Sequence, residues 1–291
     1  MSVRSILVPQ WAGHTSDAAL EAALAIAWRS GAHLDVVYVQ PGHAQATAPS
    51  PGASPGSTGL PSEAEDVDRA AAADARAHFG LWCQLRNLPN GAANCRLRST
   101  FGRWSERLGH PEQVIVRKGR VSDLIALSFR REAPGFERAL DAAVFDSGRP
   151  VLLVPVRRDD DPLRHVAVAW NGSLEATRAV AAAMPLLHHA DRVTLLSVQG
   201  YADPAFAEEA GSYDIDLVEA LSWHGIRGDH RRIKAGTVSV GQALLDTAAH
   251  LDASMLILGA YTHSRVTSAF LGGVTGHVLN NPPTFPVLMV H

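Results

Sequence analysis

The residues whose types and spacing could do chemistry lie in Leu258–Leu279, LGAYTHSRVTSAFLGGVTGHVL. An apolar run, Met255–Leu258, reads as a short buried strand reaching Gly259; a small-residue loop follows, and the pair Gly272–Gly273 opens a helix. The free backbone N–H groups of such a helix start point at one place, where the helix dipole favours an anion. The segment is therefore a candidate phosphate cradle. His263, Ser264 and Arg265 directly follow Thr262 and could meet phosphate charge. A solvated loop accounts for them equally well.

The elements that must position this segment come from an internal repeat. SILVPQWAGHTSDAALEAALAIAWRSGAHLDVVYVQ (Ser5–Gln40) is answered by HVAVAWNGSLEATRAVAAAMPLLHHADRVTLLSVQ (His165–Gln199), each an apolar strand, a Gly-containing turn, an amphipathic helix and a second strand ending in Val-Gln. The ends match as well: SDLIALS (Ser122–Ser128) with SMLILGA (Ser254–Ala260), and RPVLLVPV (Arg149–Val156) with FPVLMVH (Phe285–His291). Apolar strand runs of four to six residues alternating with helical patterns mean βαβ units and a parallel sheet buried on both faces. The expected fold is α/β: two doubly wound, five-stranded parallel-sheet domains in tandem. The charged run RRDDDPL (Arg157–Leu163) suits a boundary between units at 1–157 and 163–291. PGHAQATAPSPGASPGSTGLPS (Pro41–Ser62) reads as a mobile insertion that could cover a ligand, although a tolerated surface loop is the simpler account.

In an open parallel sheet, ligands bind beyond the carboxyl ends of the strands, where the strand order switches. In the second unit those places are Ala169, Trp170, Asn171 and Gly172 after its first strand and Val198 at the end of its second. Gly259, Thr262, His263 and Arg265 follow its fourth strand, with Gly272, Gly273 and Val274 at the last helix start. Tight βα turns require glycine in any case, so spacing alone leaves a ligand site and a structural turn both open. The first unit differs. FRREAPGFERALDAAVFDSG follows its fourth strand without a Gly-x2-Gly, and its first turn, Pro9–His14, puts Trp11 where a ligand would sit.

Composition narrows the rest. The 291 residues are 46% hydrophobic and 19% charged, with a net charge of −3, so there is material for two cores and no basic field for nucleic acid or a membrane surface. MSVRSILVPQ enters a strand at once and no apolar run nears the ~20 residues of a membrane span, so a cytoplasmic protein is expected. Two cysteines, Cys83 and Cys95, define no disulfide framework. The 14 histidines have no metal-ligand spacing, and no Walker A or nucleophile elbow appears. Asp214 reads as solvated helix face, and Trp82, Trp104 and Trp223 as core or interface anchors.

The WNGS turn, the GAYTHSR…LGGVT segment and the closing PVLMV strand together resemble the universal stress proteins in their tandem form. Nucleotide-binding members of that family carry Gly-x2-Gly-x9-Gly-Ser/Thr after strand four and Asp-Gly-Ser after strand one. Here Gly259 and Gly272 keep two of the glycines, Thr262 replaces another, Gly273 replaces the hydroxyl residue, and Asn171 stands for the Asp. The resemblance implies a non-enzymatic stress-response protein that weakly binds ATP or a related adenine nucleotide, with or without Mg, and works through conformational change or recruitment of a protein partner. It also implies an intramolecular domain–domain pseudo-dimer through the closing strands, with a further homodimer open. Two other readings stand beside it: an interaction protein with a vestigial site, and an ATP-hydrolysing or adenylating enzyme. The enzyme reading ranks third, because AWNGSLEA is no pyrophosphate loop.

Overall fold

The computed structural model describes residues 2–41, 63–91, 100–156, 161–201, 210–260 and 273–291. The first half comprises β1 (Ser5–Trp11), α1 (Asp17–Ser30), β2 (His33–Gln40), α2 (Glu63–Leu85), β3 (Gly102–Leu108), α3 (Pro111–Gly119), β4 (Leu124–Ser128), α4 (Phe136–Asp141) and β5 (Val151–Val154). A π turn, Ala142–Asp146, prolongs α4. The second half repeats the order with β6 (Val166–Ala169), α5 (Leu174–Leu187), β7 (Val193–Val198), α6 (Ala210–Trp223), β8 (Gly228–Ile233), α7 (Val240–His250), β9 (Met255–Gly259), α8 (Gly273–Asn280) and β10 (Val287–Val290). The insertion Pro41–Ser62 and the loop from Tyr261 to Gly272 lie almost wholly outside the described residues.

Local chemistry starts the helices. Ser16, Ser173 and Ser239 cap α1, α5 and α7, each side chain accepting a first-turn N–H, from Ala18, Ala176 and Gln242. The strands β4, β5 and β10 are buried along their whole length, as parallel central strands must be when helices cover both faces. The outer strands β3 and β8, GRWSERL and GDHRRI, carry the charges, which discourages pairing with another chain.

The two expected sheets are one. The strand order is β3-β2-β1-β4-β5-β10-β9-β6-β7-β8, so each half is wound in the order third-second-first-fourth-fifth strand. Within each half all pairs are parallel. The halves join through the antiparallel pair β5–β10, where Leu152 faces Leu288, Val151 faces Met289 and Leu153 faces Val287. Because Leu152 and Leu288 hold equivalent places in their repeats, this register is self-complementary, as at a two-fold dimer interface. One buried layer packs α1, α2, α5 and α6 on the sheet, and a second packs α3, α4, α7 and α8 on the opposite face.

Side chains tie the halves together outside the sheet. Arg29 at the end of α1 reaches the other half, donating to Asp191 at 2.6 and 2.9 Å, to the His189 carbonyl at 2.8 Å and to Asp161. Arg131 donates to Asn280 at the end of α8, 3.1 Å away, and the rings of Phe145 and His291 meet edge to face at 5.0 Å.

Candidate strand-end site

Three neighbouring strands deliver the described site residues to one edge. Ala169 pairs with Leu196, two residues before Val198, and Val168 pairs with Ile257, two before Gly259. The turn after β6 is shaped by Asn171, whose Oδ1 accepts the Ser173 N–H at 3.2 Å before Ser173 caps α5. Trp170 continues the β6–β7 ladder through its N–H to Leu196, 2.9 Å, and its ring packs on the α5/α6 side. Its indole Nε1–H is buried with no partner among the described residues. Val198 is 6% exposed and lies on the opposite face, with Ala169.

Gly273 opens α8 at φ +87°, with no neighbouring atom among the described residues within 4 Å of the place a Cβ would take. That combination leaves the helix start uncovered by described neighbours and is open to glycine at little strain. Val274 packs on the α7/α8 layer and Thr275 is buried. His277, one turn on, fixes α8 to α7: Nδ1 lies 3.3 Å from Ser239 Oγ and Nε2 lies 3.1 Å from Gln242 Oε1. Thr262, His263, Arg265 and Gly272 lie outside the described residues.

Gly259 has a different reason to be glycine. A Cβ there would sit 2.5 Å from the Glu175 carbonyl carbon and 2.7 Å from the Ala176 nitrogen, so the first turn of α5 lies directly on the end of β9. This close approach requires glycine whether or not a ligand is bound.

The same edge of the first half is filled by its own side chains. Ile6 pairs with Leu124 as Val166 pairs with Met255, so Trp11, five residues on, stands at the register of Asn171. The indole of Trp11 lies 3.8 Å from the imidazole of His14 with 3° between planes, and Phe136 continues the stack at 5.8 Å. Trp11 Nε1 donates to the Pro134 carbonyl at 2.8 Å, and His14 Nε2 donates to the Ser128 carbonyl at 2.9 Å. Burial pushes the His14 pKa down to about 4, chiefly by desolvating the imidazolium.

One expectation from the sequence needs correction: Asp214 is 4% exposed rather than solvated. Of the three tryptophans expected in a core or an interface, Trp82 is buried, Trp104 is partly buried against the core, and Trp223, 76% exposed, lies outside the core. Asp214 reaches from α6 to β7 and β8, accepting from Ser197 at 2.8 Å and from Arg232 at 3.0 Å, with His230 Nε2 at 3.3 Å. His230 Nε2 also lies 2.8 Å from Ser197 Oγ. Alternation along β7 and β8 puts Ser197, His230 and Arg232 on one face, a signal readable only once the strand pairing is known. Among the described residues, no group of three or more metal-ligating side chains gathers.

A tandem α/β protein whose first-half strand edge is filled by its own side chains is therefore defined by the structure. Its second half belongs to the universal stress protein family, whose model matches residues 162–291, and the chain as a whole is a tandem of that fold. A universal stress protein from Archaeoglobus fulgidus shares it at TM-score 0.69 and 15% identity, covering 99% of this chain and 96% of its own. A putative universal stress protein from Pseudomonas aeruginosa follows at TM-score 0.57 and 17% identity, covering 99% and 93%. A universal stress protein solved in complex with cAMP covers 44% of this chain and 97% of its own at 18% identity and TM-score 0.36. No curated protein matches the chain. No described helix is long and apolar enough to cross a membrane.

Proposed function

We propose that the second half binds an adenine nucleotide, ATP or a relative, at the edge formed by Ala169–Gly172, Val198, Gly259 and the start of α8, and that the chain acts in a stress response without catalysing a reaction. The observation that carries this reading is the contrast between halves: among the described residues nothing covers Gly273 at the start of α8, whereas Trp11 and His14 fill the equivalent edge of the first half. The residues present suit a nucleotide, since a helix start favours phosphate and the buried Trp170 Nε1–H lacks an acceptor among the described residues. They suit a resident metal poorly. Asn171 brings no charge, and its Oδ1 already accepts from Ser173, so Mg would arrive on the phosphates.

The action we propose is conformational change or recruitment of a protein partner in the cytoplasm, from units at 1–157 and 163–291. The junction through β5 and β10 supports treating the units as an internal pseudo-dimer. Calorimetric titration with Mg-ATP and with AMP tests the binding. Asn171→Trp, which places an indole at the register Trp11 holds in the first half, is expected to abolish the heat while the melting temperature is kept. Absence of heat from the wild-type chain at millimolar nucleotide would refute the proposal.

One observation favours a second reading, an interaction protein with a vestigial site. Gly259, the motif glycine nearest the strand, is required by the packing of α5 and so would persist after ligand binding was lost. Unchanged partner capture by Asn171→Trp would support that reading.

A further inference from the structure

The helix α2 carries two lines of apolar residues, and the fold uses one of them. Phe79, Trp82 and Cys83 are buried in the layer that α1 shares. The second line is Val67, Ala71, Asp74, His78, Leu81 and Leu85. Its steps of four, three, four, three and four residues keep it on one side of the 23-residue helix. Val67 is 66% exposed, Leu81 55% and Leu85 71% among the described residues. Asp74 is exposed and Ala71 half-buried. The His78 ring, held by Asp17 of α1 at 2.7 Å, stays more than half exposed. One apolar stripe seats a surface helix on its core; a second, exposed stripe of large aliphatic side chains marks an interface.

We propose that α2 is the surface through which two copies of this chain pair, the two helices lying antiparallel. The steps of the second line read the same from either end, so a two-fold axis at its middle makes it self-complementary. Val67 then meets Leu85 of the copy, Ala71 meets Leu81, and the Asp74 carboxylate meets the His78 imidazole. Parallel pairing would instead set Asp74 on Asp74. Arg76, the midpoint in sequence, is about two and a half turns from Val67 and so leaves the opposite side of the helix, away from the axis. Just beyond the seam, Asp66 comes level with Arg86 of the copy. These opposite charges add to the pairs each makes within its own chain, with Arg69 and Glu21, and fix the orientation. The closing strands offer no alternative, because β5 and β10 already pair with each other. The proposal does not depend on what the second half binds.

The test is sedimentation velocity of the full chain from low to high micromolar concentration. The wild type is expected to pass from the 31.0 kDa monomer to twice that mass. Leu85→Glu, a change at an exposed position that leaves the melting temperature intact, should weaken the association by about tenfold or more. Trp223→Glu, which removes an equally exposed apolar side chain from the end of α6, should leave it unchanged. Oxidation of mixed chains checks the register: Val67→Cys with Leu85→Cys should give more covalent dimer than either variant alone or the wild type. A wild type that stays monomeric throughout, or takes a different protein on α2 instead of its own copy, would overturn the proposal. So would association that Leu85→Glu leaves unchanged. Equal cross-linking in the mixed and single variants would contradict the antiparallel pairing.

Discussion

Gly259 and Glu175 touch where β9 ends and α5 begins, so closely that a Cβ on the glycine would lie 2.5 Å from the glutamate's carbonyl carbon. Backbone cannot yield as a flexible side chain can. Gly259→Ala is therefore expected to cost about 2–3 kcal/mol of stability, read as a lower urea midpoint with unchanged m-value. The variant will report packing as well as binding, so ligand tests belong at Asn171.

Acid should weaken the fold over two pH ranges. His14 is neutral in the fold, with a pKa near 4 against about 6.5 when unfolded. The unfolded chain therefore binds the extra proton as pH falls from 6.5 to 4, and stability drops by about 3 kcal/mol across that window. His14→Phe, which keeps the stack without the proton, should reduce this limb, leaving the share of His33 and His165, whose pKa values burial also lowers, and show a constant cost from the Ser128 carbonyl it leaves unbonded.

Asp35 acts in the lower range. Burial alone would raise its pKa, but the Arg103 guanidinium at 2.9 Å and the Lys118 ammonium at 3.2 Å reverse that and hold the carboxyl below its usual value. A depressed carboxylate pKa contributes stability above about pH 4 that is lost as pH falls through the folded value. Asp35→Asn should shrink this lower limb, to which Asp191 beside Arg29 also contributes, and leave the His14 limb intact in a pH series of denaturant melts.

Arg29 links α1 to Asp161, Asp191 and the His189 carbonyl. Its side chain and that of Asp161 are each about one-third exposed, so screening limits the gain. Arg29→Ala is expected to cost about 1 kcal/mol at low salt and less at 1 M salt. An effect independent of salt would contradict an electrostatic clamp.

Asp214 fastens α6 to Ser197 and Arg232 from a buried position. Asp214→Asn should cost about 2 kcal/mol and raise amide exchange in α6 before it does so in α5.

The repeat, the inner strands and the order of helices were legible because short apolar runs are local signals, whereas the charged outer strands β3 and β8 carry no such run. The fusion into one sheet was only partly so: Pro150–Pro155 and Pro286–Val290 read as pairing strands, but the self-complementary register of Leu152 and Leu288 is a property of two distant segments together. The candidate site was drawn in the sequence as a set of small residues at strand ends. What sequence alone could not supply was the reason for each, since Gly259 answers to the close approach of α5 and Gly273 to a positive φ at the start of α8. Asp214 was missed for a similar cause, because a helix face looks solvated until the strands beneath it present Ser197 and Arg232.

Native mass spectrometry of the full chain with adenine nucleotides tests the division of labour between halves most directly. One nucleotide per chain is expected for the wild type and none for Asn171→Trp. Two per chain, or none from the wild type at millimolar nucleotide, would contradict it.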